Sequence, residues 1–194
     1  MLSKKPEPEE EEESGEVVEV VGTDVFFTGP IDEESIQELV TNLKKLENKL
    51  LKQAVDLQGY TPKIRLFIRS DGGDVFAGFS AMDHISRSRL HVTTVADGCC
   101  ASAATFLLLA GHRRAIGAHG YVLIHQLATD GFWGKYEELR DEMKNCDKFM
   151  KSIRSIYESK TRLPSRKLNK MLKRDIYLDA SMCKKYSIVD EIMS

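Results

Sequence analysis

His91-Val92-Thr93-Thr94-Val95-Ala96, then Gly98-Cys99-Cys100-Ala101-Ser102, then Ala103-Ala104-Thr105-Phe106-Leu107-Leu108-Leu109-Ala110 is the stretch that decides how this chain is read. The first run is β-branched and predicts a buried strand. The last is apolar throughout and predicts a buried helix, with Gly111 as its C′ stop. The five residues between them set a serine at a strand-to-helix junction. Free backbone N–H groups and the helix dipole favour negative charge there. Such a place suits an oxyanion and the nucleophile that generates it. The competing reading is an ordinary N-cap serine, and the local pattern alone favours that.

Further along the chain, strands and helices alternate, which argues for an α/β fold. Short β runs stand at Val17 to Val21 and Val25 to Phe27. Asp32 reads as an N-cap, and the helix after it carries Ile36, Leu39, Leu43, Leu46 and Leu50 on one face. Gly59-Tyr60-Thr61-Pro62 breaks it. Ile64, Leu66 and Ile68 alternate with Arg65, Phe67 and Arg69 in a strand that ends at Ser70-Asp71-Gly72-Gly73. A helix is expected from about Val75 to Arg87. Tyr121 to Ile124 is a strand ending at His125. A polar loop, Thr129 to Gly134, leads into a long amphipathic helix striped with Tyr136, Leu139, Met143, Cys146, Met150, Ile153 and Tyr157. Pro164 opens another helix, Ile176 to Leu178 is a short β run, and Asp179 caps a last helix before Ile188-Val189.

Composition bounds the rest. At 194 residues and 42% hydrophobic, the chain suits one domain with a real core. Residues 1–16 hold two lysines against seven glutamates; taking that −5 from the chain's −2 leaves +3 for the body. We expect residues 1–16 to form a disordered acidic tail and residues 17–194 a single catalytic domain. No run approaches a membrane span, no basic stripe suggests nucleic acid, and the N-terminus lacks a secretory h-region. Cys99, Cys100, Cys146 and Cys183 show no zinc-ligand spacing. Neither a metal nor a cofactor is expected, and free thiols point to a reducing cytoplasm.

Two polar features stand at strand ends, where α/β folds gather their chemistry. The pair Gly72-Gly73 lets backbone N–H groups approach a ligand. His125 directly follows four apolar strand residues, whereas His84, His91, His112 and His119 do not. A buried structural histidine is the alternative for His125. A serine nucleophile at 102 needs a base, which His125 can supply, and a carboxylate to fix the tautomer of that base. Asp130, Asp147, Asp175, Asp179 and Asp190 all follow His125, and spacing does not choose among them.

Ser70-Asp71-Gly72-Gly73 with Gly78, Gly98 to Ser102, Ile124-His125-Gln126, Arg174-Asp175 and the closing Tyr186 to Asp190 resemble, in order and spacing, the Clp protease proteolytic subunit family. The likeness runs from about Val25 to Met193. It implies the Clp protease/crotonase-like architecture, a repeated β-β-α superhelix with a long handle helix at about Lys135 to Lys160. It also implies a serine endopeptidase with Ser102 as nucleophile, His125 as general base and then acid, and Asp175 as its orienting partner. The oxyanion hole would come from the N–H groups of Gly73 and Ala103, and the substrate groove from Gly72, Gly131 and Gly134. The implied partners are a polypeptide substrate, copies of the chain in a heptameric ring or stacked double ring, and in the family an ATP-driven AAA+ unfoldase. Host cytoplasm is the setting if the gene is bacterial or phage-borne.

The chain departs from the family pattern at several places. Asp71 stands for the usual proline, Leu127 for the proline after His-Gln, and Cys99-Cys100 for Gln-Ala. Arg65 takes a place in the unfoldase-docking pocket that is often aromatic, and the acidic tail has no likeness to the axial-loop segment. These keep open a head-maturation protease that works without an unfoldase. A cysteine nucleophile at Cys100, a crotonase-type acyl-CoA enzyme and an inactive ring subunit are the remaining alternatives.

Overall fold

The structure is a computed structural model that describes residues 16–57, 59–129 and 131–193. The acidic tail as far as residue 15, and Asp130, lie outside the described residues. A mixed sheet forms the centre. Strands β1 (Val18–Val21) and β2 (Asp24–Thr28) make an antiparallel hairpin. From β2 the sheet continues in parallel through β3 (Lys63–Ser70), β4 (His91–Ala101) and β5 (Arg113–Gly117) to the last strand, β8 (Glu191–Met193). Helix α1 (Glu33–Asp56) connects β2 to β3, α2 (Val75–Ser86) connects β3 to β4, and α3 (Ala104–Ala110) connects β4 to β5.

Local sequence explains these elements. Asp32 caps α1 in a reciprocal box, Oδ1 accepting from the Ser35 N–H while Ser35 Oγ accepts from the Asp32 N–H. Ile36, Leu39, Leu43, Leu46 and Leu50 are all buried. Each such side chain contributes about 1.5–3 kcal/mol by leaving water. Ile64, Leu66 and Ile68 of β3 are fully buried, as their alternation requires. Gly78 lets α2 close on the start of α3, since a Cβ there would lie 3.0–3.1 Å from Phe106 and Ala103. Phe79 stacks on Phe106 beside it.

Strand β4 is longer than its β-branched run predicts, and it has two neighbours in succession. Thr93 to Ala96 pair with Arg113 to Ile116 of β5; Cys99 to Ala101 pair with β6 (Tyr121–Leu123). The sheet therefore branches near Gly98. Beyond β6 it gains the short antiparallel β7 (Leu178–Asp179).

Four local expectations need correction. Ser102 is not a helix cap: that position is Ala103, and the serine side chain makes no cap bond. Gly111 ends α3 at φ −59°, outside the left-handed region. It is glycine for space, because a Cβ there would meet Thr94 Oγ1 at 2.3 Å. The C-terminal β run is only Leu178–Asp179; Ile176 and Tyr177 are exposed and outside it. The stretch around His112 and His119, which from sequence reads as a basic, Gly-flanked connection, contains β5, whose arginines are paired with acids from the far end of the chain.

The long helix is α4 (Tyr136–Lys160), followed by α5 (Ser165–Met171) and α6 (Ala180–Lys185), the last capped by Asp179 as expected. Of the α4 stripe, Ile153 and Tyr157 are buried, while Tyr136 and Met143 are exposed. Leu139, Cys146 and Met150 are half-buried, so the stripe runs from outward-facing at the start of the helix to core at its end.

Candidate active site

The two strand ends place the polar residues. Ser102 N–H donates to Leu123 O at 2.9 Å, the last rung between the β4 and β6 segments, and His125 follows two residues on. Gln126 N–H donates to Leu172 O at 2.8 Å, tying that loop to the end of α5, from which the chain runs to Asp175. Three segments distant in sequence thus converge. Ser102 Oγ lies 2.7 Å from His125 Nε2, and His125 Nδ1 lies 3.3 Å from Asp175 Oδ1. With Nδ1 turned toward the Asp175 carboxylate, the tautomer protonated on Nδ1 leaves Nε2 to accept from the serine. Of the five aspartates open from sequence, only Asp175 pairs with His125 among the described residues.

Ser102 has φ 54°, and among the described residues only Ser187 shares a positive φ without being glycine. The left-handed region costs a side-chain-bearing residue about 1–2 kcal/mol. Such strain persists where the surroundings over-determine it. Here it turns Oγ away from the helix and toward the imidazole.

The glycine pair lies against the serine. Gly72 has φ 101°, and a Cβ on it would lie 2.5 Å from Ser102 Cβ and 3.1 Å from Ala103 N. Gly73 has φ 148°, and a Cβ there would lie 2.2 Å from Ile31 O. The Gly72 carbonyl accepts from Ile31 N–H at 2.9 Å, and Asp74 N–H donates to Ile31 O at 2.7 Å. The N–H groups of Gly73 and Ala103 have no protein acceptor among the described residues.

Cys100 is fully buried, and burial pushes its thiol far above the usual range. Cys99 is half-buried; burial first, then the Asp71 carboxylate, push its thiol up to about 11. Both shifts disfavour the thiolate, which weighs against Cys100 as the nucleophile.

Beside Ser102 and His125 opens a cavity of about 300 Å³ walled by Val75, Phe106, Leu127, Ile153 and Tyr157. Of the groove glycines, Gly72 touches the serine as described. Gly131 and Gly134 stand in the exposed loop before α4, outside this cavity. A Cβ on Gly134 would meet Glu138 Oε2 at 2.6 Å, the atom that accepts from Lys135 N–H at the start of α4.

Sequence reasoning did not foresee the support beneath the serine. Thr105 Oγ1 lies 2.6 Å from Ser102 O and 2.5 Å from Tyr157 Oη, buried. The only sign in the sequence is that Tyr157 closes the α4 stripe.

Comparison with known proteins agrees with this geometry. The family model described as Clp protease matches residues 10–194. The ATP-dependent Clp protease proteolytic subunit of Cyanophora paradoxa is 30% identical over 170 residues, 87% of this chain and 82% of that protein. The protein of the same name from Deinococcus radiodurans is 26% identical over 87% of this chain and 79% of its own length. The solved structure of a ClpP1 point mutant from Listeria monocytogenes superposes with a TM-score of 0.75 at 26% identity, covering 89% of this chain and 92% of that one. The fold is accordingly the ClpP/crotonase-like one, and the likeness does not favour an acyl-CoA enzyme. The chain belongs to the Clp protease family of serine endopeptidases.

Proposed function

We propose that Ser102, His125 and Asp175 are the catalytic triad of a peptide-bond hydrolase. The observation that carries this reading is the 2.7 Å contact of Ser102 Oγ with His125 Nε2, made by a serine held at φ 54°. His125 takes the hydroxyl proton as Oγ attacks the peptide carbonyl. The tetrahedral oxyanion then faces the N–H groups of Gly73 and Ala103. His125 returns the proton to the leaving amine, and water, activated by the same ring, releases the acyl group from Oγ. The cavity beside Ser102, with Val75, Phe106, Leu127 and Ile153 on its apolar side, takes the side chain on the acyl side of the cut, and Gly72 keeps the floor open for the peptide backbone.

The same proposal covers assembly and setting. Residues 17–194 act as one catalytic domain in a homo-oligomeric, heptameric ring in the cytoplasm, and rings meet through α4. The exposed Tyr136 and Met143 on that helix support the ring contact. An unfoldase is outside the proposal: Arg65, at a position that the family resemblance puts in the docking pocket and that is often aromatic, is tied to Asp24 at 2.7 and 2.5 Å. No helix among the described residues is long and apolar enough to cross a membrane.

A fluorophosphonate probe tests the chemistry. Wild-type protein and Cys100→Ala are expected to be labelled and Ser102→Ala is not. Labelling of Ser102→Ala overturns the assignment.

A further inference from the structure

Cys99 sits where three catalytic segments meet. It lies on β4 three residues before Ser102. Its Sγ–H donates to Asp71 Oδ1 at 3.2 Å, and Asp71 immediately precedes Gly72-Gly73. Tyr177, two residues after Asp175, is close enough for Cys99 first, then burial, then Asp71 and Asp175 to raise the ionisation of its phenol.

The backbone aims this thiol deliberately. Ile68 pairs with Ala96 and Ser70 with Cys100, so Ile68–Ser70 spans the same length of ladder as Ala96–Cys100. The excess in β4 is a bulge containing Gly98 at φ 72°. Bulges next to active sites re-aim side chains. Here the re-aimed side chain meets the turn before the glycine pair.

That turn needs a restraint. A proline at position 71 would fix its own φ and reduce the freedom of the segment. This chain has aspartate there, followed by two glycines at positive φ, residues that are otherwise permissive. On one side the turn is held by Ile31 and by Ser70 Oγ, which accepts from Gly72 N–H at 3.1 Å. On the other side its restraint is Cys99. Asp71, which departs from the Ser-Pro-Gly-Gly pattern, and Cys99, one of the two departures from Gly-Gln-Ala, are thus in contact with each other.

We infer that Cys99 and Asp71 are positioning residues, a thiol–carboxylate tether that stands in for proline and sets the Gly73 N–H at the oxyanion. The inference rests on the triad reading above. Because the thiol is held up to about 11, it remains an S–H donor through the neutral range.

The test uses the full-length protein and a chromogenic peptide, with fluorophosphonate labelling rates and thermal midpoints alongside. Cys99→Ala is expected to lower kcat about tenfold with KM within about twofold, a fraction of the ~10²–10³ that a whole oxyanion donor is worth. Cys99→Ser keeps a donor and is expected to restore most of the rate. Asp71→Ala, at an exposed site, gives the same loss if Cys99→Ala fails to fold, and the double variant is no slower than either single one. Asp71→Pro introduced into Cys99→Ala is expected to recover kcat. Wild-type kcat in folded Cys99→Ala, a serine variant as slow as the alanine one, or additive losses would each overturn the tether. If wild-type protein resists the probe and cleaves nothing, the triad reading falls first. If the wild type is labelled and Cys99→Ala is labelled equally fast, only the tether falls.

Discussion

Tyr157 Oη lies 2.5 Å from Thr105 Oγ1, joining α4 to the helix that begins just after Ser102. The bond has a direction. The single hydroxyl proton of Thr105 goes to Ser102 O at 2.6 Å, so Tyr157 donates and Thr105 accepts. Burial, the main cause, pushes the Tyr157 phenol far above its ordinary range and keeps it a donor. Tyr157→Phe removes one neutral bond and is expected to cost about 0.5–1.5 kcal/mol. Thr105→Val leaves the tyrosine hydroxyl buried and unpaired, a penalty of about 1–3 kcal/mol. Denaturant midpoints should rank wild type, then Tyr157→Phe, then Thr105→Val; the reverse order of the variants contradicts Thr105 as the buried partner of the Tyr157 hydroxyl.

Asp175→Asn keeps the size of the side chain while removing its charge. The amide presents an N–H₂ donor as well as an acceptor, which lets the imidazole sit in the wrong tautomer. With a buried orienting carboxylate the same change costs about 10⁴ in kcat. Asp175 is largely exposed and 3.3 Å from the ring, so a smaller loss, about 10²–10³, is expected. Steady-state kcat on a peptide checks it, and an unchanged kcat removes Asp175 from the triad.

Gly72→Ala and Gly117→Ala form a matched pair. At Gly72 the new methyl would sit 2.5 Å from Ser102 Cβ on a backbone at φ 101°. At Gly117 the nearest atom is Ala96 O at 3.9 Å, and no positive φ opposes the change. The first variant is expected to lose probe labelling. The second is expected to label like wild type with a thermal midpoint within a few degrees.

Acidification should destabilise the sheet around β4 and β5. Burial, then the charge of His112, whose ring centroid is 5.4 Å away, then Lys63, hold the His91 imidazole below 6.5; Arg113 adds to this. A histidine lowered in the folded state binds its proton more readily when unfolded. Its contribution is therefore complete above 6.5 and is lost as pH falls from there through the folded value. Glu47 acts in the same direction at lower pH. Burial raises it, but hydrogen bonds from Ser88 and Arg89 and the Arg89 charge outweigh that and leave it lowered. Thermal midpoints between pH 8 and pH 5 should fall, and His91→Gln should flatten the slope. A parallel slope in that variant rules His91 out as a source.

The elements whose own residues carry the pattern were legible: the α1 stripe, the β3 alternation and the Asp32 and Asp179 caps all appear as read. Strand β5 was not, because Arg113-Arg114 reads as a basic loop. Its arginines are neutralised by Glu191 and Asp190, nearly eighty residues on, which only the folded sheet brings near. The same reason hid the carboxylate of the site from spacing, and the family likeness was needed to single out Asp175. The junction at Ser102 was legible in place but not in shape. A left-handed serine is indistinguishable in sequence from a capping one, and only the ladder to Leu123 and the pressure of Gly72 decide between them.

The branching of β4 gives one strand two separate duties. Its first half is clamped between β3 and β5 as structural anchorage; its second half, past Gly98, answers to β6 and leads into Ser102. Substitutions that loosen the β5–β8 edge reach Ser102 only through the branch, whereas a shift of β6 moves the serine and the histidine together. Ser102 and His125 stand at the ends of two neighbouring strand segments tied to each other by the Ser102 N–H to Leu123 O bond, so the sheet can absorb change at its rim while their separation stays set.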